Sequence, residues 1–335
     1  MEFEFFIGID VSKSELDFAV QQGKDLLFHR EIANDPEVIR LFIQELSRLS
    51  GFTLAKAVFC MEHTGIYNNH TLNVLCKSKA SVCLEAATQI RNSLGNIRGK
   101  NDKVDSIRIA GYAYKNRSEI RLWVPKREVI QQLSHLAATR SRLITVKKQL
   151  KTPLKEHDSF NPGKVAKQSQ QICSHSLKAI DEDIKRADKA IDHLIKADAE
   201  LHRLFTLVTS VSGIGKVIAA QVIVATNEFK DINNPKKFAC YSGVAPFTDD
   251  SGKVVKKARV SHMANKKMKT LLHLAAIVAI QYNADLKLFY ERKVNQEKKN
   301  KMSVINAVRN KLILRIFACV NQNRPYEKNY HKLVA

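Results

Sequence analysis

The chain has 335 residues, 44% of them hydrophobic, and a formal net charge of +22 at pH 7. That length suits two domains with real cores, and that charge favours polyanionic partners, nucleic acid ahead of acidic membranes. Met1-Glu2-Phe3-Glu4 is acidic where a secretory signal opens with positive charge. The most apolar helical run, residues 271–280, is half of the ~20 residues a membrane span requires and contains His273.

Residues 3–11, rich in Phe and Ile, are predicted as a first strand. Segments 16–20 and 26–33 follow at hairpin distances, with Gln22-Gly23-Lys24 as the turn. Asn34-Asp35-Pro36 marks a helix start, Asp35 as N-cap and Pro36 at the first helical position, with the helix running to about Leu49. Residues 56–61 and 81–86 read as buried strands and 101–115 as a helix. Three meandering strands followed by helix–strand–helix–strand describe a mixed α/β sheet flanked by helices, an order that also fits ribonuclease-H-like folds.

From about Glu128 to Leu204 the pattern becomes that of long helices. Leu136, Leu143 and Leu150 recur every seven residues. After a break at Asn161-Pro162-Gly163, the residues Leu177, Ile180, Ile184, Ala187, Ile191 and Leu194 keep 3–4 spacing, the seam of a long helical hairpin or coiled coil. From Val208 onward the chain reads as mostly α, with helices opening at Asn234-Pro235 and Ala264-Asn265. The expected division is 1–125, 126–204 as a coiled-coil linker or oligomerisation region, and 205–335. Between Gly252 and Arg315 there are 16 Lys/Arg against 3 Asp/Glu, so the last region holds much of the excess charge. The six cysteines (60, 76, 83, 173, 240, 319) form no C-x-x-C pair and read as reduced, mostly buried thiols of a cytoplasmic protein rather than zinc ligands.

Two predicted strands end in acids: Gly8-Ile9-Asp10-Val11-Ser12-Lys13 and Phe59-Cys60-Met61-Glu62. Asp102 and Asp105, spaced i, i+3, share one helix face. Taken singly, each suits a structural duty: a strand-end turn, a helix cap, a first-turn acid matched to the helix dipole. Taken together, four clustered carboxylates repel and raise one another's pKa, and a divalent cation relieves that repulsion. Hard oxygen ligands favour Mg²⁺ or Mn²⁺, and two such ions hold the attacking and leaving oxygens of a phosphoryl displacement. Lys13, Arg98, Lys100 and Lys103 are interleaved with these acids. Gly-Ile-Asp also opens sugar-kinase-like ATPases, but the later Gly-rich phosphate loops of that class are missing from suitable positions.

Val211-Ser212-Gly213-Ile214-Gly215-Lys216 is a glycine turn between apolar helices. It serves either as a plain interhelical turn or as one whose backbone N–H groups approach a phosphate. The run Lys253, Lys256, Lys257, Arg259, Lys266, Lys267 and Lys269 is a phosphate-binding candidate that carries no sequence preference of its own.

These segments, with Glu62-His63-Thr64-Gly65, Asn101-Asp102-Lys103-Val104-Asp105, the basic helical stretch 132–150, Phe238-Ala239-Cys240-Tyr241-Ser242-Gly243-Val244-Ala245-Pro246 and Ser251-Gly252-Lys253, resemble the DEDD transposases of bacterial insertion sequences, relatives of the Piv-type DNA invertases. The ordered set spans nearly the whole chain. The resemblance departs at His262-Met263-Ala264-Asn265, where Lys-Gly-Asn is common, and at Ser106, where alanine is usual. It implies a RuvC-like ribonuclease-H fold at the N-terminus with Asp10, Glu62, Asp102 and Asp105 as metal ligands, and a C-terminal domain whose serine nucleophile falls on Ser242. It also implies a structured guide (bridge) RNA, DNA as substrate, composite active sites in a dimer or tetramer, and a bacterial, nucleoid-associated setting.

Read from the residues alone, Ser242-Gly243 is an ordinary helix stop after residues 235–241. Read with the resemblance, Ser242 attacks DNA to give a phosphoserine ester that conserves bond energy for resealing. Three functions are therefore weighed. The first is a transposase or recombinase joining metal acids to Ser242. The second is a metal-only nuclease or junction resolvase, or an invertase without RNA guide. The third is a nucleic-acid-binding scaffold whose acids are structural.

Overall fold

A computed structural model describes residues 3–93, 101–247 and 258–327. The chain divides into two compact units, Met1–Pro125 and Lys126–Ala335.

The first unit is a five-stranded mixed sheet. Its strands are β1 (Phe5–Val11), β2 (Glu15–Gln22), β3 (Asp25–Ala33), β4 (Ala57–Glu62) and β5 (Ser81–Glu85), in spatial order β3-β2-β1-β4-β5. β1, β2 and β3 form an antiparallel meander, and Gly23 takes the left-handed φ of +56° that the β2–β3 turn needs. β4 and β5 then add in parallel. Helix α1 (Pro36–Leu46) begins where the sequence places it, Asp35 accepting from the N–H groups of Glu37 and Val38, and ends three residues earlier than expected. α1 and α2 (Asn69–Lys77) cover one sheet face with Ile39, Phe42, Ile43, Leu46, Leu72 and Leu75, against Phe5, Ile7, Ile9 and Phe59 of the sheet. Short α3 (Ala87–Ser93) and α4 (Asp102–Lys115) lie on the other, where Ile109, Tyr112 and Ala113 meet Phe6, Val58, Cys60 and Cys83.

The second unit is almost wholly helical. α5 (Glu128–Phe160) and α6 (Lys164–Ala197) form an antiparallel hairpin broken at Asn161-Pro162-Gly163. Arg140 pairs with Asp188 at 2.5 Å, and Lys147, two turns on, pairs with Asp181, two turns back. At the hairpin's root Ile130, Leu133, Ile191 and Ile195 enter one core with α7 (Ala199–Thr209), α8 (Lys216–Thr226), α9 (Pro235–Tyr241), α10 (Lys266–Tyr282), α11 (Ala284–Glu291) and α12 (Lys301–Asn321). The more distal seam residues Leu143, Leu150, Leu177 and Ile180 are only half-buried. Pro246–Phe247 (β6) and Arg259–Val260 (β7) pair as a minimal ribbon.

All six cysteines are free. Cys60, Cys83 and Cys319 are buried, but Cys76 is exposed, because it faces away from the sheet on α2 where Leu72 and Leu75 make the contact. Among the described residues no helix is long and apolar enough to cross a membrane.

One ion-pair fork ties the second unit together. Arg127, just before α5, donates to both oxygens of Asp198, the N-cap of α7, at 2.8 and 2.9 Å, and to Glu228 beyond α8 at 2.5–3.2 Å. Asn227, Glu228 and Phe229 all take positive φ, a local conformation that costs energy in non-glycine residues and is held by the fork and by the core around Phe229. Burial pushes the Glu228 carboxyl up, but hydrogen bonds from Arg127 and Lys230 outweigh it and hold the group below the usual range. Arg127 also holds Asp198 low. Arg127→Ala would leave the Glu228 side chain, 1% exposed, without its main partner. We expect a loss of about 3 kcal/mol in chemical denaturation, part of it recovered in Arg127→Ala/Glu228→Gln. Because both carboxyls titrate lower when folded, the wild-type contribution is present above pH ~4 and fades as acid protonates them, so the variant's deficit should shrink on acidification. A deficit unchanged by pH would contradict this assignment.

Candidate active site

Alternation along the strands decides where the acids go. On β1, Phe5, Ile7, Ile9 and Val11 face α1 and α2, so Phe6, Gly8 and Asp10 face α4. On β4, Ala57, Phe59 and Met61 take the first face, which leaves Val58, Cys60 and Glu62 on the second. Because β1 and β4 are parallel neighbours with Ile9 opposite Met61, Asp10 and Glu62 leave the sheet at the same edge and on the same side. β5 extends the row: Glu85 stands opposite Glu62.

α4 brings the remaining two. Asn101 caps it, accepting from the Lys103 N–H at 3.0 Å, and Asp102 and Asp105 occupy its first turn, where the helix dipole favours negative charge. Gly8 lets the helix come down onto β1: a Cβ there would lie 2.1 Å from the Ser106 carbonyl oxygen and 2.3 Å from the Ala110 nitrogen. Ser106 is buried at this seat and donates its hydroxyl to the Lys103 carbonyl at 2.8 Å.

The carboxylates feel one another. Asp10 is pushed up from 3.8 to about 6, first by burial, then by Asp102 and Asp105, with a smaller push from Glu62; the Val11 N–H at 3.0 Å offsets part of this. Asp105 is held by Arg108 at 2.8 Å, and Asp102 is exposed. Among the described residues no three His, Cys, Asp or Glu side chains stand close enough together to hold an ion as they are. The acids therefore share a field without forming a closed ligand cage. Their chemistry, hard oxygens with Asp10 pushed up by burial and then by the neighbouring acids, fits a divalent cation. Lys13 and Lys103 are exposed beside them. Arg98 and Lys100 lie outside the described residues.

In the second unit Ser242 ends α9. Its hydroxyl donates to the Phe238 carbonyl at 2.8 Å and the residue is 0% exposed. Gly243 follows with φ +64°, packed so tightly that a Cβ would lie 2.7 Å from the Ala264 methyl and 3.4 Å from the Lys269 side chain. Asn265 caps α10 and donates to the Tyr241 hydroxyl at 2.7 Å, so the α9 stop and the α10 start are joined. Lys266 and Lys267 are exposed in the first turn of α10, the end of a helix where the dipole disfavours cations, with no acid beside them in that turn. Arg259 is exposed on β7; Lys253, Lys256 and Lys257 lie outside the described residues. Gly213, with φ +89°, is a close-packing position against α10, where a Cβ would meet the Ala275 carbonyl at 2.6 Å. Gly215 has open space around it, and Lys216 is paired with Asp192 at 2.7 Å.

Sequence reasoning missed several groups. Glu85 ends a strand like Asp10 and Glu62, so the same signal was there to be used. Asn306 donates to the Val244 carbonyl at 2.8 Å, and Arg309, buried on the same helix, reaches Asn306 at 3.3 Å and His273 at 2.5 Å. That chain of contacts behind the Ser242 turn joins residues some sixty positions apart and left no local signal.

Comparison with known proteins bears on both units. Residues 7–157 match the DEDD transposase family of the IS110 type, and residues 205–291 match the Transposase IS116/IS110/IS902 family. The pilin gene-inverting protein of Moraxella bovis is 28% identical over 243 residues, 72% of this chain and 71% of that protein, and its Moraxella lacunata counterpart matches to the same extent. An uncharacterized 43.6 kDa protein of insertion element IS110 from Streptomyces coelicolor is 24% identical over 139 residues, 42% of this chain and 34% of that protein.

The Asp10 carboxyl titrates higher folded than unfolded, so its ionisation opposes folding: the penalty is absent below pH ~4 and complete above pH ~6. In metal-free buffer Asp10→Asn should therefore be more stable than wild type at pH 7.5, by about 1–2 kcal/mol after allowance for solvent screening, and the advantage should vanish near pH 4. Coincident thermal melts at pH 7.5 would show that Asp10 is not under this electrostatic load.

Proposed function

The chain belongs to the DEDD transposases of the IS110 type and is a DNA transposase/recombinase, and from that premise we propose that it cleaves and rejoins DNA with a divalent-metal carboxylate site and a serine nucleophile. The observation that carries the metal half is the raised Asp10 carboxyl beside Glu62, Asp102 and Asp105, on a sheet edge of the kind a RuvC-like ribonuclease-H fold uses. Asp10, Glu62, Asp102 and Asp105 would hold Mg²⁺ or Mn²⁺, Asp105 being free to do so once Arg108 is displaced. When bound, the ion supplies charge neutralisation at the scissile phosphate and polarisation of its oxygens.

The chain's own groups do the rest. Ser242 supplies the hydroxyl that attacks phosphorus. Its oxygen bonds to the phosphate, a deoxyribose hydroxyl leaves, and return attack by a hydroxyl frees the serine and seals a strand. Lys269 beside Gly243 and the exposed Lys266 and Lys267 support this reading, since they set cations next to the turn that would carry a phosphodiester. Arg259, Lys253, Lys256 and Lys257 would extend the same backbone contact, as would Lys13, Arg98, Lys100 and Lys103 around the acids and Gly213, Gly215 and Lys216 at the glycine turn.

With the protein reading backbone charge, sequence choice falls to a structured guide RNA pairing with DNA. The half-buried distal seam of the α5–α6 hairpin is the surface through which protomers would associate as a dimer or tetramer. The inverting relatives make inversion an outcome of the same chemistry. A metal-dependent nuclease without serine chemistry is favoured by one observation, the buried Ser242 hydroxyl bonded to its own helix.

With cognate DNA and Mn²⁺, wild type should form a covalent protein–DNA adduct on denaturing gels. Ser242→Ala should lose the adduct while keeping DNA affinity, and Asp10→Ala should lose cleavage altogether. Cleavage by Ser242→Ala at the wild-type rate would establish the metal-only nuclease instead. Lys266→Ala and Lys267→Ala are each expected to weaken binding to all sequences alike and to lower the slope of log affinity against log salt by about 0.9 on duplex DNA. A changed base preference would assign these lysines a different role.

A further inference from the structure

Beside the carboxylates stands an apolar feature that the chemistry above leaves unused. Glu62 is followed by a 3-10 turn, Gly65–Asn68, that exposes two large side chains: Ile66 is 76% exposed and Tyr67 is 39% exposed. Exposed apolar residues on a loose loop would mean little, but this turn is fixed. The Thr64 N–H and hydroxyl both donate to Asn68 Oδ1, at 2.7 and 3.0 Å, and Asn68 Nδ2 donates to the carbonyl of Glu62 at 2.9 Å, with Asn68 itself fully buried. Gly65 takes φ +81°, a conformation that glycine adopts without strain.

A second tie runs to the other strand-end acid. Asn34 Nδ2 donates to the carbonyl of Ser12, two residues beyond Asp10, at 2.9 Å, and to the carbonyl of Tyr67 at 3.1 Å. The turn is thus anchored through backbone at Glu62 and next to Asp10. Holding a solvated Ile–Tyr pair rigidly gains nothing for the sheet's core, which lies among other residues. It does fit a ligand with flat apolar faces joined to phosphates.

We propose that Ile66 and Tyr67 form a stacking platform for a nucleobase of the DNA strand being cut, next to the phosphate that the acids engage. This rests on the DNA-cleaving reading given above. Every base has a π-face, so such contacts add affinity without sequence choice, as the basic residues do. The platform sets the position of the strand along its own direction, which phosphate contacts alone leave free to slide.

The test uses full-length protein and fluorescent strands of about 20 nucleotides at fixed salt: single-stranded DNA, the same length of abasic deoxyribose phosphate, and the matching RNA. Wild type should bind DNA about tenfold more tightly than the abasic strand. Tyr67→Ala and Ile66→Ala should each remove much of that margin and leave abasic binding unchanged, while Tyr67→Phe should keep it. The platform is overturned if wild type does not distinguish the two strands, if Tyr67→Ala weakens both equally, or if the loss is confined to RNA. Mn²⁺-dependent nicking of supercoiled plasmid by the same preparations separates the two layers. Nicking without base discrimination removes only the platform. Discrimination without nicking removes the catalytic reading and leaves a base-binding surface.

Discussion

The approach of α4 to β1 at Gly8 is the constraint on which the carboxylate arrangement depends. At that point helix backbone lies where a side chain would otherwise be, so the helix axis is set by main-chain contact instead of by an adaptable layer of side chains. The consequence reaches one helical turn. Asp102 and Asp105 sit on the first turn of α4, and Ser106 and Ala110, the residues that touch Gly8, follow directly. Any methyl at position 8 would lift the helix and separate its two acids from Asp10 and Glu62, whose own placement is decided by strand register. A single absent side chain thus couples the sheet's pleat to the helix's dipole end.

Each unit gathers charge of one sign at one place, and the two signs are opposite. In the first, burial and then the neighbouring Asp102 and Asp105 push the Asp10 carboxyl up to about 6. In the second, Lys266 and Lys267 occupy the positive end of α10. The load on Asp10 and the cations at the start of α10 each cost their own unit something, and on the proposed reading a cation at the carboxylates and phosphates at the lysines would offset it. The Arg127 fork is the contrast. There Arg127 and Lys230 answer the carboxylates of Asp198 and Glu228, and the cluster binds elements of the second unit together.

Local chemistry made much of the fold legible. Asp35-Pro36, Asn101, Asn234-Pro235 and Asn265 each cap the helix they were read to start, because a cap is a property of three or four adjacent residues. The strand-end positions of Asp10 and Glu62 were readable for the same reason. What sequence did not convey depends on pairing across distance. Glu85 belongs beside Glu62 only once β4 and β5 are in register. Arg127 finds partners 71 and 101 residues away. The burial of Ser242 likewise follows from Gly243 packing on Ala264 and from Asn306 gripping the Val244 carbonyl, neither of which alters the local pattern of a helix stop.

That burial bears on how the serine would be used. The hydrogen bond from Ser242 to Phe238 is worth about 0.5–1.5 kcal/mol net, so breaking it alone would slow a reaction by roughly tenfold at most. On the proposed reading the larger barrier would be access, since Ser242 is fully buried and the Gly243–Val244 turn that follows it is held by backbone fit and by Asn306. Asn306 is in turn backed by Arg309, a buried guanidinium that reaches His273. On the proposed reading, uncovering the serine would depend on the packing of α12 and α10 behind the turn more than on the serine's own bond. The lysines at the start of α10 lie on one of those two helices, so a phosphate drawn to them would act on an element packed against the Gly243 turn.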